Sequence, residues 1–133
     1  MNQAEIMKNR PFKKIETGYH KAAVEILAQW VNGVTEQPFF VEGKMIFVPD
    51  VVCYKNGIID CIYEVIYSNP LSGKKYGLIQ YWCYRNLTDL TVYEISADYI
   101  LSQTEKPEII QTMECYTVSL FEYVEEYLID PVQ

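Results

Sequence analysis

The chain has 133 residues, 50% of them hydrophobic and 14% aromatic, with a formal charge of −7. That length fits one domain, residues 1–133, with enough apolar mass for a core of its own. Charged residues at 22% and twelve tyrosines argue against disorder. No apolar run approaches the roughly 20 residues that span a bilayer. The opening MNQAEIMKNRPFKK has no apolar h-region, so a cytoplasmic setting without membrane partners is expected.

The net charge is unevenly spread. Residues 1–88 hold ten Lys/Arg against eight Asp/Glu, a balance of +2. Residues 89–133 hold Lys106 against ten acids, a balance of −9. A uniformly acidic protein binds polyanions poorly, because that affinity comes largely from neutralising phosphates. The split keeps nucleic acid open as a partner of the N-terminal portion.

Taken in chain order, a polar arm through about Lys14 precedes a first helix for which Thr17 is the predicted N-cap. Tyr19, Ala22, Ala23, Ile26, Leu27 and Trp30 form one apolar face, which ends near Asn32-Gly33. Pro38–Val41 reads as a short strand. Met45–Tyr54 reads as a longer one, and Lys55-Asn56-Gly57 as a hairpin turn. Ile58–Tyr67 is apolar on both faces for most of its length, as a central strand would be. Ser72 caps a predicted second helix running to about Arg85. Leu90–Ile95 follows as a strand, 96–103 as a short helix, and 109–118 as a further strand. Ser119–Ile129 alternates apolar and acidic residues at helical spacing. The strand–helix–strand succession implies a parallel pair. The expected fold class is therefore α/β, a mixed central sheet flanked by helices, with a core at about 16–100 and an acidic C-terminal extension at about 104–133.

The cysteines Cys53, Cys61, Cys83 and Cys115 form no C-x-x-C pair, and the chain has one histidine. A structural zinc site is not expected. Four reduced, mostly buried thiols are expected instead.

Two carboxylates interrupt apolar strands: Asp50 after Pro49, and Glu64 in Ile62-Tyr63-Glu64-Val65-Ile66. A buried carboxylate needs a base or a cation as partner. Whether the two can meet depends on the hairpin. A regular two-residue Asn56-Gly57 turn pairs Lys55 with Ile58 and puts the two acids on opposite faces. A three-residue loop bulged at Gly57, or a bend at Pro49, puts them on the same face.

This arrangement resembles the PD-(D/E)XK, or restriction-endonuclease-like, nuclease superfamily, and within it the competence-protein-like branch. Pro49-Asp50 is similar to the family's strand Asp. Glu64-Val65-Ile66 is similar to its acid-x-Lys, with Ile66 in the lysine position. Glu16-Thr17-x-x-His20 resembles the branch's helical start. Ser68-Asn69-Pro70 followed by Lys75 resembles its small-polar stretch leading to a lysine. The resemblance covers about residues 16–100 and implies an αβββαβ core with C-terminal additions.

It also implies a metal-dependent nuclease hydrolysing phosphodiesters, with Mg²⁺ or Mn²⁺ held by Asp50 and Glu64. The implied catalytic set is Asp50, Glu64 and Lys75, with Glu16, His20 and Ser68 as supporting residues. Because an apolar Ile66 cannot stabilise an oxyanion, either Lys75 replaces the strand lysine or the chain is a degenerate, inactive relative. DNA is the expected nucleic acid. A chain this small is expected to grip a duplex as a homodimer. The competing reading is a non-catalytic interaction module that uses the acidic C-terminal third and its Tyr99, Tyr116, Tyr123 and Tyr127.

Overall fold

The computed structural model describes residues 11–67 and 71–128, with side chains from residue 18 onward in the first stretch. Helix α1 spans Pro11–Val31. It begins earlier than the expected cap at Thr17, which lies inside it. Proline suits a first helical position, where its missing N–H costs nothing. After α1 come β1 (Phe39–Val41), β2 (Lys44–Phe47), β3 (Val51–Lys55) and β4 (Ile58–Ile66). Helix α2 (Gly73–Asn86), β5 (Leu90–Ser96), α3 (Ala97–Ser102) and β6 (Glu114–Val118) complete the regular elements. A π-helical turn at Val124–Leu128 closes the described chain.

Strands β3-β4-β5-β6 form one sheet in that order, and β1-β2 form a separate two-stranded ribbon. Pairing is antiparallel for β3–β4, parallel for β4–β5 and antiparallel for β5–β6. The class is thus α/β, with a mixed four-stranded sheet flanked by helices. On one face, α2 packs Ile79, Trp82 and Cys83 on Val52, Ile62, Val92 and Val118. On the other, α1 and α3 pack Ala23, Leu27 and Ile100 on Val51, Val65 and Ile95. Cover on both faces explains why β4 is apolar on both. Among the described residues no helix is long and apolar enough to cross a membrane.

Three expected elements differ. Met45–Tyr54 is two strands, because Val48-Pro49-Asp50 breaks the ladder and sends β2 and β3 into different sheets. Proline has no N–H to give a ladder, so the break falls where it stands. The 109–118 segment pairs only from Glu114. Ser119–Ile129 is no regular amphipathic helix: among its described residues a π-helical turn forms at Val124–Leu128, and Tyr123, just before it, lies against Tyr81 and Tyr84 of α2. Those ring contacts come from outside the segment, where apolar periodicity cannot register them.

Gly33 follows α1 at the point where the chain crosses β3. Val34 exchanges two 2.8 Å backbone hydrogen bonds with Val52. A Cβ on Gly33 would lie 2.4 Å from Val51 Cγ1 and 3.1 Å from the Val52 carbonyl oxygen. Gly33→Ala is therefore expected to cost about 1–3 kcal/mol through overpacking, read as a lower urea midpoint at unchanged slope. An unshifted midpoint would show that β3 yields freely at this crossing.

Candidate functional site: a buried carboxylate row bridged by lysine

The site begins with the register of the β3–β4 hairpin. The turn is the regular two-residue kind: Asn56 and Gly57 sit at φ 54° and 77°, and Lys55 pairs with Ile58. Such turns match the twist of the flanking strands, and the glycine takes the left-handed conformation without steric cost. Continued unbroken, this pairing would separate Asp50 and Glu64 onto opposite faces. A bulge prevents it. Tyr54 pairs with Ile59 but Cys53 with Cys61, leaving Asp60 as the extra residue. From there Val51 pairs with Tyr63, so Asp50, one step further, comes opposite Glu64. The offset that brings the two acids to one face thus comes from a bulge within β4, not from one at Gly57.

Asp50 sits in the Pro49 break just before β3. Its Oδ2 accepts a 2.8 Å hydrogen bond from the Val65 N–H and lies 3.3 Å from His20 Nε2. That same His20 nitrogen is 3.2 Å from the Val65 carbonyl oxygen, an acceptor only, so Nε2 carries the hydrogen. His20 therefore ties α1 to the carboxylate and to β4 at one point. Burial pushes Asp50 upward, but the hydrogen bond and charge of His20, the Val65 N–H and the Lys75 charge together hold it below its ordinary value. His20 is raised, chiefly by its hydrogen bond to Asp50.

Glu64 is 3% exposed. The Lys75 ammonium lies 2.9 Å from its Oε2 and also donates to the Val48 carbonyl at 3.3 Å. The sequence of α2 explains this reach. Ser72 caps the helix by accepting from the Lys75 N–H at 3.2 Å, which fixes the first turn. Lys75 thereby points back at the end of β4. The other oxygen of Glu64, Oε1, is buried with no hydrogen-bond partner. Burial, and then the neighbouring Asp50 charge, push Glu64 up to about 8, with Lys75 opposing.

The structure therefore brings together Asp50, Glu64, Lys75 and His20. The side chain of Glu16 and all of Ser68 lie outside the described residues. Ile66 is buried, so the position that the resemblance gives to a lysine holds a buried apolar residue. Among the described residues no group of three or more His, Cys, Asp or Glu side chains is placed to hold a metal ion. The residues present fit a hard divalent cation as a two-carboxylate set completed by waters, with the unpartnered Oε1 as the donor that needs a ligand.

Sequence reading missed one residue of this row. Glu94 on β5 is the parallel register partner of Glu64 and is also buried. It accepts from the Tyr116 hydroxyl at 2.7 Å and from the Leu71 N–H at 3.4 Å. It faces a cleft of about 450 Å³ that also includes Tyr76 and Gly73. The signal was the same one that marked Asp50 and Glu64, an acid inside an apolar strand. A second cleft, of about 210 Å³, opens at Asp50 and is lined in part by His20, Lys21 and Thr35.

The acidic C-terminal segment lies elsewhere on α2. Glu122 accepts from the Tyr76 hydroxyl at 2.6 Å and from Gln80 at 3.2 Å, and Tyr123 stacks on Tyr84. Tyr84 is nine residues beyond Lys75, half a turn round the helix at about 100° per residue. Of the four tyrosines named for an interface, Tyr127 is exposed, and the other three are partly buried. Tyr116 and Tyr99 are hydrogen-bonded within the fold, to Glu94 and to the Gln111 N–H.

No protein-family model, curated protein or solved structure matches this chain. Its function must be argued from the site alone.

The Glu64 environment predicts a pH effect on the metal-free protein. Folded Glu64 keeps its proton up to about 8, whereas the unfolded chain releases it near 4.5. Between those values the folded state binds more protons, so this group's contribution to stability falls as pH rises. Relative to Glu64→Gln, the wild type should lose melting temperature steadily across that window. A pH-independent difference between the two would refute the raised value.

Proposed function

We propose that this chain is a divalent-metal-dependent phosphodiesterase of the restriction-endonuclease-like kind, acting on nucleic acid, with Lys75 of α2 replacing the lysine that Ile66 displaces. The observation that carries the reading is a single cluster. A buried carboxylate has one oxygen on a lysine and the other without a partner, and a second carboxylate stands opposite it. A buried ion pair alone adds little net stability, so stability is a weak reason for this arrangement.

In this reading Asp50 and Glu64 hold the cation. Mg²⁺ or Mn²⁺ supplies Lewis-acid polarisation of the phosphate and lowers the pKa of a bound water. The protein's own groups do the rest. His20 and the Val65 N–H fix Asp50 Oδ2, which leaves its other oxygen for the ligand. Lys75 is held by Glu64 and by the Val48 carbonyl, where its charge can stabilise the developing oxyanion. Lys21, at the Asp50 cleft, offers a cation to the phosphate backbone. The end of the acidic C-terminal stretch packs through Tyr123 on Tyr81 and Tyr84, half a turn round α2 from Lys75, which supports this reading over the interaction module. A homodimer would supply the second half of a duplex grip.

The test is titration of Mg²⁺ or Mn²⁺ into the chain, with cleavage assays on labelled single-stranded, duplex and branched DNA and on RNA. Cation binding and hydrolysis are expected, both lost in Asp50→Asn and Glu64→Gln. Lys75→Ala should lower hydrolysis by about 100- to 1,000-fold with cation binding retained and little loss of fold stability. Full activity in that variant would remove Lys75 from the mechanism. The absence of both cation binding and cleavage would overturn the nuclease reading and return the interaction module to the lead.

A further inference from the structure

On the sheet face opposite the carboxylates, Cys53 of β3 and Cys61 of β4 are direct cross-strand partners. Residues opposed in an antiparallel pair have Cα atoms about 4.5–5.5 Å apart. Disulfides span Cα separations of about 4.4–6.8 Å. Both thiols are free; the Cys53 thiol donates to the Val31 carbonyl oxygen at 3.8 Å, and the neighbouring Cys61 holds its pKa below the ordinary value. Cys61 is buried, whereas Cys53 is partly exposed. A partly exposed thiol thus has a sheltered one as its register partner. That is the division of labour between an attacking and a resolving cysteine.

We infer that Cys53 and Cys61 form a reversible redox pair that closes to an intramolecular disulfide by exchange with a low-molecular-weight disulfide such as oxidised glutathione. Cys53, as thiolate, attacks one sulfur of the reagent and expels one thiolate, which takes up the proton that Cys53 released. Cys61 then attacks the Cys53 sulfur of the mixed disulfide, losing its own proton to the second departing thiolate. Two protein thiols are oxidised by two electrons and one reagent disulfide is reduced to two thiols. The new bond encloses only the hairpin between residues 53 and 61. Short loops constrain the unfolded chain least, so this disulfide gains little stability and is easily reduced again. It would also clamp β3 to β4 beside the Asp60 bulge, within the strand pair whose register aligns Asp50 with Glu64.

The remaining cysteines behave differently. Cys115 is exposed and lies on β6, two strands from Cys61, and Cys83 is buried on the sheet-facing side of α2. The test therefore uses the full chain carrying Cys115→Ser, shown by circular dichroism to be folded, and incubated with oxidised glutathione without denaturant. Intact mass is expected to fall by about 2 Da, the two hydrogens lost on closure. Peptide mapping should join Cys53 to Cys61, and dithiothreitol should reverse the change. Adding Cys61→Ser should instead leave a glutathione adduct on Cys53, and adding Cys53→Ser should leave Cys61 unmodified. A stable adduct on Cys53 in the parent, unreactive thiols, or closure only in urea would each overturn the inference. None of these outcomes depends on cation binding or on nucleic-acid cleavage.

Discussion

The register of one hairpin carries the candidate site. Side chains alternate faces along a strand, so a single extra residue decides whether two acids on neighbouring strands meet or stay apart. The Asn56-Gly57 turn alone would have kept Asp50 and Glu64 apart. The bulge at Asp60 turns everything beyond it by one residue, and the break at Pro49 frees Asp50 from the ladder so that it can accept from the Val65 N–H. A bulge gives up regular ladder pairing and adds twist, which is why such kinks recur beside functional sites.

Burial then sets the electrostatics. Glu64 lies under α2 with one lysine for company, and its ionised form is disfavoured by the lost water and by Asp50 beside it. Asp50, half a site away, receives two donors and is held ionised. Two carboxylates with pKa values pushed in opposite directions are the pattern that reacting sites share, although structural networks can produce it too. Glu64 Oε1 lacks a partner while Glu64 is ionised, and either a proton shared with Asp50 or a bound cation satisfies it.

The charge asymmetry also acquires a location. The acid-rich third supplies β5 and β6, with Glu94 buried in the sheet beside Glu64. Its last described stretch folds back along α2, where Glu122 satisfies Tyr76 and Gln80, and Tyr123 joins a tyrosine stack with Tyr81 and Tyr84. Lys75 and the tip of β4 lie on the other side of that helix. One helix therefore stands between the Tyr123 end of that stretch and Lys75.

Much of this was legible in the sequence. Apolar spacing marked the face of α1 that buries Ala23 and Leu27, and two-sided apolarity marked β4 as central. Ser72 was readable as a cap, and Asp50, Glu64 and Lys75 as residues out of place in apolar surroundings. These are local signals, set by periodicity, capping and the cost of burying charge. What the sequence could not decide was non-local. The Asp60 bulge, the pairing of Glu94 with Glu64, and the opposition of Cys53 and Cys61 are properties of two strands together, and a strand's own residues do not record its partner's register. The π-helical turn at Val124–Leu128 was missed for a like reason, since its ring contacts come from α2. Composition and pattern determined that this chain makes a helix-covered mixed sheet with charged residues inside it. Only the tertiary structure decided that those residues meet, because meeting depends on a one-residue offset between strands.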